Sequence, residues 1–196
     1  MTNALKFEHA RTAILSMDYH RSIVSNYVKE QPEAFLSRVA GVLKHARGRG
    51  MTVIHVQVGF RSGLPEISGR NPLFSALKAS PQRQQMFQGE AGAIHPLVGP
   101  ENGDIVITKH RVSAFVGTDL EMILRAHDID SLVLLGIATS GVVLATLLDA
   151  SDADYRLIVL KDCCIDQDAE LHSCLLDKLF PRRATVLTSA EFTAAS

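Results

Sequence analysis

The chain has 196 residues, 46% hydrophobic and 21% charged, with 20 Lys and Arg against 21 Asp and Glu. Such a composition excludes a disordered or collagen-like chain and reads as a single globular domain spanning residues 1–196. A formal charge of −1 gives no electrostatic reason to expect nucleic acid or an anionic membrane as partner. The stretch MTNALKFEHARTAILSMDYH lacks the basic and apolar regions of a secretory leader, and no apolar run approaches a membrane span of about 20 residues. Cys163, Cys164 and Cys174 are too few and too oddly placed for a disulfide framework, which points to a cytoplasmic protein.

Along the chain, short apolar runs alternate with segments of helical period, the pattern of a parallel sheet between helices. Thr12–Met17 is the first strand. Pro32–Arg47 follows as an amphipathic helix, with Phe35, Val39, Val42, Leu43 and Ala46 on one stripe and Gly48 and Gly50 as stops. The second strand is Thr52–Val58. Residues 59–103 hold many of the glycines and most of the prolines, and show helical period only around Leu73–Gln88, so a covering loop is expected there. Strand Asp104–Thr108, helix Thr118–His127, strand Ser131–Ile137, helix Ser140–Asp154, strand Arg156–Leu160, helix Asp168–Leu179 and strand Ala184–Thr188 complete the series. The near-continuous Val, Ile and Leu content of these six strands suits a sheet covered on both faces.

Ligands of open parallel sheets bind beyond the carboxyl ends of the strands. Asp18 follows the first strand, Lys109 the third, and Ala138-Thr139-Ser140-Gly141-Val142 the fourth, which places an acid, a base and a run of backbone N–H groups near one crevice. Each has a plainer explanation: Asp18 as a turn or cap residue, Lys109 in the KHR tripeptide as part of a solvated patch, Thr139 and Ser140 as helix caps. His55, inside the second strand, reads as a satisfied histidine beside the core. His20 and His110 read as solvated, and the three cysteines as buried structural thiols.

Three segments, TAILSMDYHRSIV, DIVITKHRVSAFVGTDLEMILR and LVLLGIATSGVVLATLLDASDADYRLIVLKD, match a family pattern in order and spacing. The chain resembles the isochorismatase-like hydrolases, which include nicotinamidases, N-carbamoylsarcosine amidohydrolases and isochorismatases. That resemblance implies a three-layer α/β/α fold with a six-stranded parallel sheet in the order 3-2-1-4-5-6. It implies Asp18 and Lys109 as catalytic residues and a cis peptide before Ala138 that aims the N–H groups of Ala138 and Val142 into an oxyanion hole. Phe115, Thr139 and Ser140 are expected to contact substrate. The family's amidases carry a nucleophilic cysteine where this chain has Val142, and a glutamine where it has His20.

Without a thiol at that position, the resemblance implies a non-covalent hydrolase, as in isochorismatases, acting on a small molecule such as a vinyl ether. Asp18 would then have to hold a proton, which burial favours and a neighbouring Lys109 opposes. The alternative is an inactive binding or scaffolding homologue that kept the fold. Nicotinamidases hold a metal on an Asp-x-His pair and further histidines, whereas residues 59–103 here contain no Asp and only His95. No metal and no other cofactor is therefore expected, while assembly into a homo-oligomer is expected by resemblance.

Overall fold

A computed structural model describes residues 7–196; residues 1–6, part of the stretch read for a leader, lie outside the described residues. In chain order the elements are β1 (Thr12–Met17), α1 (Arg21–Tyr27), α2 (Pro32–Gly48), β2 (Thr52–Val58), α3 (Pro72–Lys78), α4 (Pro81–Gln85), β3 (Ile105–Lys109), α5 (Leu120–Ala126), β4 (Ser131–Ile137), α6 (Leu144–Asp152), β5 (Arg156–Ile165), α7 (Ala169–Cys174), β6 (Thr185–Leu187) and α8 (Ser189–Ala195). A wide turn, Thr139–Val143, joins β4 to α6, and another, Leu175–Leu179, continues α7.

The six strands form one parallel sheet in the order β3-β2-β1-β4-β5-β6, as the resemblance implied. Side-chain alternation splits its core in two. Ala13, Leu15 and Met17 of β1, with Leu132 and Leu134 of β4, pack under Leu120, Leu124, Leu147 and Phe180. Ile14, Val133, Leu135 and Ile137 face the opposite way, onto Val39, Val42 and Leu43 of α2 and Phe192 of α8. Burial on both faces explains why the strands read as unbroken apolar runs: every residue of β1 and β4 is buried.

The order brings the carboxyl ends of β1 and β4 together at the sheet's centre, where successive connections diverge to opposite edges. Met17 pairs with Gly136, and a Cβ on Gly136 would lie 2.7 Å from the Met17 carbonyl oxygen, so only glycine allows this approach of the strands. Two short helices, α1 and α8, had no counterpart in the periodicity. The sheet's fifth strand also runs on to Ile165, past a register shift, so Cys163 and Cys164 lie within it and are buried, whereas Cys174 is exposed, contrary to its reading as a core thiol.

Candidate active site

Asp18 is the first residue beyond β1, and its backbone is left-handed, with φ of 59°. Its N–H donates to the Val56 carbonyl at 2.9 Å, which turns the carboxylate over the end of the sheet. Lys109 ends β3, paired with Val58. Alternation points Ile107 and Lys109 inward and leaves Val106 and Thr108 exposed, so Lys109 is buried rather than part of a solvated KHR patch. Its long side chain crosses the end of β2, and Nζ lies 2.8 Å from Asp18 Oδ2, with both side chains under a tenth exposed. Lys109 Nζ also donates to the Arg111 carbonyl at 3.1 Å. The other oxygen, Asp18 Oδ1, is buried and accepts no hydrogen bond from any described residue.

His20 lies beside this pair and is fully buried, where a solvated ring was expected. Its Nε2 accepts the Val58 N–H at 3.0 Å, so the ring proton is on Nδ1 and is donated to the Gly92 carbonyl. Both nitrogens are thereby used within the protein. Burial pushes the imidazole below its ordinary value, although the Asp18 carboxylate pulls the other way. The neutral ring ties the covering loop to the end of β2.

The turn after β4 completes the floor. The Ile137–Ala138 peptide is cis. Ser140 N–H donates to Asp166 Oδ2 at 2.7 Å, the Thr139 hydroxyl bonds His172 Nδ1 at 2.8 Å, and the Ala138 carbonyl accepts the N–H of Gly141 and Val143. Asp166 and His172 thus fix the turn from outside, a role without any local signal in the sequence.

A cavity of about 410 Å³ opens over these residues. Asp18, Lys109, Ala138, Ser140, Gly141 and Val142 border it, so six of the positions the sequence placed near one crevice meet there. Its walls are apolar, from Ile23 and Tyr27 of α1 and from Phe74, Leu77, Met86 and Phe87 of the covering segment, with Arg83 and Arg111 added at the edge. Two nominated contacts lie elsewhere. Phe115 packs against Tyr155, ring centroids 6.1 Å apart, and Thr139 is buried behind the turn. The Phe115 displacement follows from its neighbours: Ala114 N–H bonds Thr146 Oγ1 and Ser113 Oγ bonds Asp149, which stitches the segment onto α6. None of the three cysteines borders the cavity. Among the described residues, no group of three or more His, Cys, Asp or Glu side chains is placed to hold a metal ion.

The sequence pattern of the isochorismatase domain matches residues 12–191. Over 199 aligned residues the chain is 30% identical to an uncharacterized isochorismatase family protein of Bacillus subtilis, covering 98% of this chain and 97% of that one. It is 29% identical over 156 residues to maleamate amidohydrolase of Pseudomonas putida, covering 79% of this chain and 71% of the relative. Among solved structures, an isochorismatase family protein from Burkholderia thailandensis is similar with a TM-score of 0.82 at 27% identity, over 95% of each chain. N-carbamoylsarcosine amidase from Thermoplasma acidophilum gives 0.73 at 26% identity, over 91% of this chain and 96% of that one.

Proposed function

The chain belongs to the isochorismatase family of hydrolases, and from that premise we propose that it hydrolyses a small molecule without a covalent intermediate, with Asp18 as the group that carries the proton. The observation that supports this reading is the asymmetry of the Asp18 carboxylate, on a residue that borders an apolar cavity: Oδ2 is held by Lys109 at 2.8 Å, while the buried Oδ1 has no hydrogen-bond partner among the described residues. A carboxyl group fixed at one oxygen and unpartnered at the other is positioned for general acid–base work. Val142 stands where the family's amidases carry their thiol, and a valine side chain cannot form a thioester.

On a vinyl ether such as isochorismate, Asp18 would deliver a proton to the terminal alkene carbon. Water then adds to the oxocarbenium carbon and returns a proton to Asp18, and the resulting hemiketal breaks into a ketone and an alcohol. The close Lys109 ammonium favours a second reading, in which the ionised Asp18 takes a proton from water as it attacks an amide carbonyl. The backbone N–H groups of Ala138 and Val142 would stabilise the oxyanion, and the proton would pass to the departing amine. The names of the amidohydrolase relatives support this second substrate class. Lys109 serves both routes by holding Asp18 and balancing its charge.

A screen of isochorismate, carbamoyl compounds and small amides, run on the wild type and on Asp18→Asn with intact-mass analysis, tests the reading. Turnover that falls ~10²–10⁴-fold in the variant, with no adduct on the wild type, supports it. An acyl adduct, or full activity in Asp18→Asn, overturns it. Ligand binding without turnover would instead support an inactive binding homologue. The proposal includes a homo-oligomer formed through the face carrying the exposed Val116 and Met122, and light scattering that finds only monomer at all concentrations rejects that part.

A further inference from the structure

The turn Thr139–Val143 carries no charged side chain of its own, and two groups reach it from the segment after β5. Ile165, the last residue of β5, pairs with Ile137, the last of β4, which brings Asp166 alongside the start of the turn. Asp166 Oδ2 accepts the Ser140 N–H at 2.7 Å, and Oδ1 accepts the N–H of Gln167 at 2.8 Å, so the carboxylate is fixed by its own loop. Asp168 then caps α7 by accepting the Leu171 N–H at 2.9 Å, and the next residue of the helix is His172. The half-buried ring of His172 meets the Thr139 hydroxyl at 2.8 Å, and Thr139 has no exposed surface. Either neutral tautomer keeps this bond, because a hydroxyl can donate or accept. Burial pushes the imidazole below its ordinary value, against the opposing pull of Asp166 and Asp177, so the ring is neutral above pH 7.

Ser140, Gly141 and Val143 spend their N–H groups on Asp166 and on the Ala138 carbonyl. The two N–H groups assigned above to the oxyanion, those of Ala138 and Val142, belong to the same short stretch, so their direction follows from how residues 139 and 140 are held. His172 is not among the residues that border the cavity. We propose that His172 is a positioning residue for amide hydrolysis: through the Thr139 hydroxyl it aims the Ala138 and Val142 N–H groups at the developing oxyanion, without touching substrate. The inference rests on the oxyanion role proposed for this turn and adds the group that holds the turn in place. Donors act on a transition state only when they are aimed before the charge develops, which is why a tether outside the cavity matters to the rate.

Steady-state kinetics of the full-length chain, on the amide or carbamoyl compound that the screen above shows to be turned over, test the proposal with His172→Leu and His172→Asn. Leu and Asn have nearly the same shape, but only Asn offers a hydrogen-bonding atom as far from the main chain as Nδ1. His172→Leu is expected to lower kcat about 10- to 100-fold with KM little changed, the pattern of lost transition-state alignment, and His172→Asn to recover most of it. Amide hydrogen exchange across residues 138–143, read by mass spectrometry, should quicken roughly five- to tenfold in His172→Leu, the scale of one hydrogen bond, and return toward the wild-type rate in His172→Asn. Thr139→Val removes the same bond from the other side and should match His172→Leu, with no further loss in the double variant. It also decides the matter if His172→Leu does not fold. Wild-type kcat or unchanged exchange in a folded His172→Leu or in Thr139→Val, or an Asn variant no better than Leu, overturns the inference and leaves the hydrolase reading standing. A wild type that turns over no amide or carbamoyl compound removes the oxyanion role of the turn, and this inference with it.

Discussion

Replacing Asp18 by Asn tests the ion pair and the chemistry separately. Asn tolerates the left-handed backbone that Asp18 adopts and has nearly the same shape, so the main chain need not move. The substitution removes the carboxylate 2.8 Å from Lys109 Nζ and leaves the ammonium buried, with the Arg111 carbonyl at 3.1 Å as its hydrogen-bond acceptor. Breaking a buried pair from one side costs about 3–5 kcal/mol, because the remaining charge is uncompensated. For a chain of this size that lowers the melting temperature by roughly 6–20 °C. Removing both charges, in Asp18→Asn with Lys109→Met, should return most of that stability, since the desolvation cost goes with the pair. Activity behaves otherwise: turnover should drop by ~10²–10⁴ in the single variant and stay low in the double variant. Thermal melts by circular dichroism read the first effect and a turnover assay the second. A single variant that melts with the wild type, or a double variant no more stable than the single, would refute the reasoning about the buried pair.

The thiols should react according to burial. Burial pushes Cys163 and Cys164 up, the latter to about 12, while Cys174 is exposed, so iodoacetamide should label Cys174 in the native protein and the other two only in denaturant, with activity unaffected. Gly136→Ala places a Cβ 2.7 Å from the Met17 carbonyl oxygen and 2.9 Å from its Cβ, and should cost about 1–3 kcal/mol in urea unfolding, because the clash is with backbone. Acid should destabilise the fold through His20 and His55, which burial pushes below 6.5, against the opposing pull of Asp18 and Asp104 respectively. The unfolded rings bind protons that the folded ones exclude, so this contribution to stability is complete above about pH 6.5 and is lost progressively over the pH unit below it. Melting temperatures that do not change across that interval, or that change equally in His55→Gln, would contradict this assignment.

The sheet was legible because its information is local. Thr12–Met17, Thr52–Val58 and Ser131–Ile137 were bounded to the residue, since a strand buried on both faces is an apolar run wherever it sits. The same logic reached α2, whose stripe is long enough to show its period. The helices α1 and α8 are seven residues each, too short for a period to emerge, and are held by tertiary contacts of Ile23, Val24 and Phe192. Positions of Asp18, Lys109 and the turn after β4 followed from the ends of strands, and the family resemblance is the source of the roles proposed for them. What the side chains meet depended on the fold. Whether Lys109 crosses β2 to Asp18, whether His20 is buried under Gly92, whether Phe115 faces the cavity or Tyr155, and whether Arg111 is pinned on Glu66 all depend on contacts between segments distant in sequence. Periodicity records how deeply a residue is buried and on which face. It carries no record of its partner across the sheet, because strand order, register and loop packing fix that only once the chain has closed on itself.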